Sequence, residues 1–161
     1  MKTTASALRA VLIPVTACAV GLGGLTAWTT SGAAGRPAHL GVTDARVLLP
    51  SGDGEATAAI FQLRNDGDAD DDLVRVTSED TGQVMLARTV VRDGGGRMSM
   101  QRAATVPAHG WLQMTPFGLD AMVDNPPRLR VGDLVPFTLY FRDRAPVRIA
   151  AVVVSPEQVR P

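Results

Sequence analysis

The 161-residue chain sets 16 basic against 16 acidic residues, a balance that excludes the cationic surface a nucleic-acid ligand demands. Its single cysteine excludes a disulfide framework, and its length leaves room for one compact domain beyond a leader. The only lysine is Lys2, so the arginine-only cation content reads as genomic base composition, not as a guanidinium-built binding surface.

The first 35 residues read as an export segment. Lys2 and Arg9 form a short basic start, and Ala10 to Trp28 is apolar apart from threonines and Pro14. Three fates fit it. Val15-Thr16-Ala17-Cys18 matches a lipobox, in which Cys18 would carry lipid; the apolar run of 19 residues approaches the ~20 of a membrane anchor; and Ser31-Gly32-Ala33 offers a cleavage site near Ala33. All three put the following domain outside the cytoplasm, anchored by a signal anchor or lipidated Cys18, or secreted. Residues 36–41 then serve as a linker, 42–155 as the domain and 156–161 as a tail.

Beyond the linker the chain predicts short strands punctuated by turns. Val42 to Leu49 ends at Pro50 and the turn Ser51-Gly52-Asp53-Gly54. Ala56 to Asn65 alternates, with Ala59, Phe61 and Leu63 on one face and Gln62 and Arg64 on the other. An acidic loop, Asp66 to Asp72, follows; it lacks the residue order of a calcium loop and reads as a solvated turn. Leu73 to Thr77 and Val84 to Val91 are further strands. Asp93-Gly94-Gly95-Gly96 supplies a hairpin turn before Arg97 to Gln101. After the turn Val106-Pro107-Ala108-His109-Gly110 comes Trp111 to Thr115, then an irregular stretch from Pro116 to Arg128. Val135 to Phe141 and the branched-aliphatic Val147 to Val154 close the domain. The spacing predicts an all-β Greek-key sandwich of about eight strands.

Every methionine after the first falls between positions 85 and 122: Met85, Met98, Met100, Met114 and Met122. A thioether is a soft donor that prefers Cu(I), so such a cluster outside the cytosol points to copper; the competing reading is that methionine fills cores. Met85 and Met114 sit in apolar strand contexts where a core role is simpler. His39, in the linker, and His109, in a tight turn, read as solvated histidines. No nucleophile elbow, zinc-protease motif, P-loop or cysteine nucleophile is present, so the chain reads as a non-enzyme.

Several segments carry a family likeness: Ala58-Ala59-Ile60-Phe61-Gln62-Leu63-Arg64-Asn65-Asp66-Gly67, Asp70-Asp71-Asp72-Leu73, Val106-Pro107-Ala108-His109-Gly110, Phe117-Gly118-Leu119-Asp120-Ala121-Met122 and Leu129 to Leu139. Over residues 40 to 155 the chain resembles the PCuAC family of extracytoplasmic copper chaperones, which implies a cupredoxin-like β-sandwich. The resemblance also implies copper as cargo and a copper-receiving membrane protein, such as a cytochrome oxidase subunit, as partner. The family motif is His, ten residues, Met, twenty-one residues, His, one residue, Met. Met98 and Met122 occupy the two methionine positions, whereas Ala87 and Asp120 replace the two histidines.

Ala87 brings no donor, and the carboxylate of Asp120 is harder than Cu(I) favours. Residues two apart on a strand share a face, so Met85 and Met100 are candidates to approach the vacated position. The expected site is therefore a degenerate methionine-based Cu(I) site built from Met98 and Met122 with Met100 or Met85, and Asp120 as a further candidate ligand. The alternative is an adaptor of the same fold at the cell envelope that binds no metal.

Overall fold

The computed structural model describes residues 3–31, 35–52, 54–92 and 95–159, with the backbone alone described for 3–13, 91–92 and 95. The chain divides into two compact units, residues 1–36 and 37–161. The first holds one helix, α1 (Thr3–Thr30), on which Cys18 is exposed. Among the described residues no helix is long and apolar enough to cross a membrane.

The second unit is all-β: β1 (Leu40–Leu48), β2 (Thr57–Asn65), β3 (Asp71–Thr77), β4 (Val84–Arg92), β5 (Gly95–Met100), β6 (Ala104–Val106), β7 (Trp111–Gln113), β8 (Leu119–Val123), β9 (Leu134–Phe141) and β10 (Val147–Val154). A short 3-10 helix, Pro156–Val159, follows in the expected tail. The ladder runs β5-β4-β8-β2-β1-β10-β9-β3-β6, with β7 pairing with β2 beyond the end of β8. β1 and β10 are parallel, the one parallel pairing among the described strands.

This continuous ladder folds over into two facing layers. Phe61 on β2 meets Phe137 on β9 edge to face at 5.5 Å between ring centroids, although β1 and β10 separate those strands along the ladder. The alternation read from the sequence is what fills the space between layers: Ala59, Phe61 and Leu63 from β2 meet Val135, Phe137, Leu139 and Phe141 from β9, all buried. Burying side chains of this size stabilises by roughly 1.5–3 kcal/mol each.

Among the described residues there are ten strands where about eight were expected. β6 is only three residues long, and β8 lies inside the stretch expected to be irregular. In Leu119-Asp120-Ala121-Met122-Val123 the alternate residues Leu119, Ala121 and Val123 enter the core, and a strand this short between Pro116 and Pro126 leaves little periodic signal. Gly95 and Gly96 belong to β5, not to the turn, and residues 93–94 lie outside the described ones.

One polar knot fixes the start of the domain. Asn65 is fully buried; its Oδ1 accepts from the backbone N–H groups of His39 and Gly67 at 3.0 Å each, and its Nδ2 donates to the carbonyls of Ala69 and Val106. The chain passes so close here that a Cβ on Gly67 would run into the carbonyl oxygen of Pro37.

Candidate functional site

The strands that matter are β5, β4 and β8, which are adjacent and antiparallel. Leu86, Leu119, Ala121 and Val123 point into the core, so alternation turns Met85, Ala87, Thr89, Asp120 and Met122 to the opposite face. Directly opposed residues share a face, which adds Met98 and Met100.

Three rows of side chains cross that face. Met100 stands opposite Ala87, which stands opposite Asp120; Met98 stands opposite Thr89; Met85 stands opposite Met122, and Met122 opposite Ala58 on β2. Opposed positions put Cβ atoms ~4.5–5.5 Å apart and diagonal ones ~7–8 Å apart. Ala87 is thus the centre of a ring. Met100 and Asp120 flank it directly, Met85 follows two residues away on its own strand, and Met98 and Met122 occupy diagonals on opposite sides. Ala87 itself is fully buried, as a methyl group ringed by longer side chains would be.

Met98 and Met122 are therefore not immediate neighbours. They face positions 89 and 85 of β4, four residues apart, or ~13 Å along the strand. The shorter approach runs through Met85, opposite Met122 and diagonal to Met100. Here the core-filler expectation for Met85 is corrected: Met85 is half-buried on the face away from the core, while its neighbours Val84 and Leu86 pack inward. Met114 does fill the core, 3% exposed, with its backbone N–H donating to the Phe61 carbonyl. Met98 and Met100 are exposed, 51% and 54%.

Among the described residues Asp120 is the one strongly perturbed carboxyl. It is 6% exposed, its Oδ1 has no hydrogen-bond partner, and burial raises its pKa to about 6, opposed by a backbone hydrogen bond that lowers it. At neutral pH it supplies a buried negative charge beside the thioethers. Among the described residues no three His, Cys, Asp or Glu side chains gather as a metal cluster. The donors on this face are four thioethers and one carboxylate. That set fits Cu(I), whereas a lone carboxylate without imidazole gives Cu(II) little to bind.

The histidines and the acidic run lie elsewhere. His109 takes φ 53° in the turn before β7, donates from its backbone N–H to the Gly67 carbonyl, and holds Asp68 through Nε2 at 2.9 Å. His39 enters the Asn65 knot through its backbone N–H. Both adjoin the end of β2 opposite Ala58. The acidic run is fastening, not solvated turn alone: Asp70 Oδ1 accepts from the Ala108 N–H at 2.7 Å, Asp71 Oδ1 from the N–H groups of Asp72 and Asp143, and Asp72 from the Thr105 hydroxyl and Arg142.

A family model described as "Putative lipoprotein LpqE-like" matches residues 40–153. No curated protein matches the chain. Among solved structures the chain is similar to the apo PCuAC domain from PmoF1, with a TM-score of 0.62 and 20% identity over 76% of this chain and 99% of that one. It is similar to the copper-bound PCuAC domain from PmoF2, with a TM-score of 0.61 and 19% identity over 76% and 98%. These two show the fold. The Cu(I) form of DR1885 from Deinococcus radiodurans aligns with a TM-score of 0.55 and 27% identity over 79% of this chain and 85% of that one. The cupredoxin-like β-sandwich expected from the sequence is thus the fold found, and it is the fold of PCuAC domains.

Proposed function

Because the chain belongs to the LpqE-like lipoprotein family, we propose that it is an exported, envelope-associated copper(I) chaperone-like protein whose cargo site is built from methionines. The observation that carries this reading is the ring around Ala87, which the register of β5, β4 and β8 surrounds with Met100, Met85, Met98 and Met122. Two solved neighbours of this fold are copper-bound forms.

The division of labour follows from position. Met122, Met85 and Met100 form the compact part of the set, the first two half-buried and the third exposed. Met98, nearer the hairpin tip, is free to close over the ion or to hand it on. Asp120, ionised at neutral pH, offsets the single positive charge of Cu(I) at short range without needing to coordinate it. Thioethers remain donors in an oxidising compartment, where an exposed thiol pair would form a disulfide. The recipient is a membrane protein that takes copper, with a cytochrome oxidase subunit the partner that the family resemblance suggests. The N-terminal segment either anchors the domain, as a signal anchor or through lipid on Cys18, or is cleaved near Ala33 and releases it.

The test is a titration of Cu(I) into the full chain in detergent against a chromogenic chelator, repeated with Met98→Leu, Met122→Leu and Met85→Leu. Binding no tighter than micromolar, or indifferent to all three changes, would end the chaperone reading. Metabolic lipid labelling with and without Cys18→Ala tests the anchor.

A second reading has its own observation. Ala87 is fully buried and Asp120 nearly so, which suits a face that has closed over a lost metal site. On that reading the domain is a metal-free adaptor, and the same titration separates the two.

A further inference from the structure

A cleft of about 260 Å³ opens beside the methionine ring, between β3 and the β4–β5 hairpin. Met85 and Met100 form part of its wall, Arg75 and Arg102 stand at it, and none of its lining residues is acidic. Both arginines are exposed. Arg75 is held in place with its guanidinium 4.2 Å from the centroid of the Tyr140 ring, a contact that orients a cation without neutralising it.

The charge around this cleft is one-sided. The chain as a whole is neutral, yet no acidic residue occurs between Asp93 and Asp120, a span that includes Arg97 and Arg102. Arg75, Arg88, Arg97 and Arg102 have no carboxylate partner among the described residues, whereas Arg46, Arg64 and Arg142 are paired with Asp44, Asp66 and Asp72 at 2.9, 2.6 and 2.9 Å. Those three aspartates are engaged elsewhere, and the cleft beside the candidate cargo site is lined by two arginines and no acidic residue. At β3 the ladder with β9 is also irregular, with a register shift between Leu73 and Arg75 that leaves Val74 at the cleft outside the regular pairing.

We propose that this cleft is the docking site for an acidic segment of a partner protein, which places that segment beside Met85 and Met100. Arg75 and Arg102 bind its carboxylates and steer its approach. The direction of transfer rests on the copper reading above; the docking itself does not. A recipient that docks acidic side chains here would bring a soft donor within reach of the two methionines that form the cleft wall.

The experiment uses the full metal-free chain in detergent, with chelator present, and two fluorescein-labelled decapeptides. One carries four glutamates around a central methionine; the other has glutamine at those four positions. Fluorescence anisotropy is expected to show binding of the glutamate peptide that weakens at least tenfold between low salt and 1 M NaCl, where the screening length falls to ~3 Å. The glutamine peptide is expected not to bind. The double variant Arg75→Gln, Arg102→Gln should weaken binding about tenfold, the double variant Arg75→Lys, Arg102→Lys should retain most of it, and Arg148→Gln on β10 should leave it unchanged. Equal binding of the two peptides, or an affinity indifferent to loss of Arg75 and Arg102, would overturn the proposal. So would a double variant that loses only its adsorption to phosphatidylglycerol vesicles while keeping the peptide, since the cleft would then be a lipid contact. Peptide binding without copper binding would sink the chaperone reading and leave the docking site standing.

Discussion

Met100 stands directly opposite Ala87 across the β4–β5 ladder, so a thioether faces the alanine at the middle of the methionine ring. Position 87 is therefore no open surface, and the donors around it are soft.

If the ring is a working site, an imidazole added at position 87 strengthens it. Ala87→His is expected to raise Cu(I) affinity about 10–100-fold, the scale on which metal sites respond to their supporting groups. It should also create measurable Cu(II) binding, visible by electron paramagnetic resonance. Ala87→Ser, similar in size but without a nitrogen donor, should do neither.

The buried carboxyl of Asp120 makes a pH-dependent prediction about stability. Its pKa in the folded state is about 6, above the ordinary 3.8, so between these values the native state binds more protons than the unfolded state. Stability attributable to this group therefore falls as pH rises through that window, and the penalty is fully present above it. Asp120→Asn should accordingly stabilise the protein at pH 7.5, by about 1–3 kcal/mol, with the advantage shrinking toward zero near pH 4. Thermal melts of the metal-free protein at the two pH values check it.

The Asn65 knot makes the domain's entry sensitive to single atoms. Asn65→Ala removes four hydrogen bonds and strands buried backbone groups, at a cost of about 3 kcal/mol or more. Gly67→Ala drives a methyl group into the backbone at Pro37 and should be comparably damaging. Denaturant unfolding measures both, and neither change should alter Cu(I) affinity in protein that still folds.

Met114 and Met85 should behave oppositely. Met114→Leu, a volume-conserving change in the core, should cost under ~1.5 kcal/mol and leave copper binding intact. Met85→Leu should leave stability intact and weaken copper binding.

What the sequence made legible follows from the physics of each element. Strand β2 declared itself because Ala59, Phe61 and Leu63 alternate without interruption, and β10 because a branched-aliphatic run has few other uses. β8 was hidden because Asp120 and Met122 on its outer face break no rule for a loop, and five residues are too few to establish a period. The copper motif spacing pointed to Met98 and Met122, yet their separation on the face follows from the pairing register, and register depends on the length of the turn after Arg92 and on the partner strand. The same dependence concealed Met85, whose apolar neighbours Val84 and Leu86 suggest a core and whose own parity turns it outward.

X-ray absorption at the copper edge of the Cu(I)-loaded full chain reads the donor atoms themselves. A methionine ring gives a first shell of sulfur scatterers, with sulfur lost stepwise in Met100→Leu and Met122→Leu. A first shell dominated by nitrogen or oxygen, or a sulfur shell unmoved by both substitutions, would contradict it.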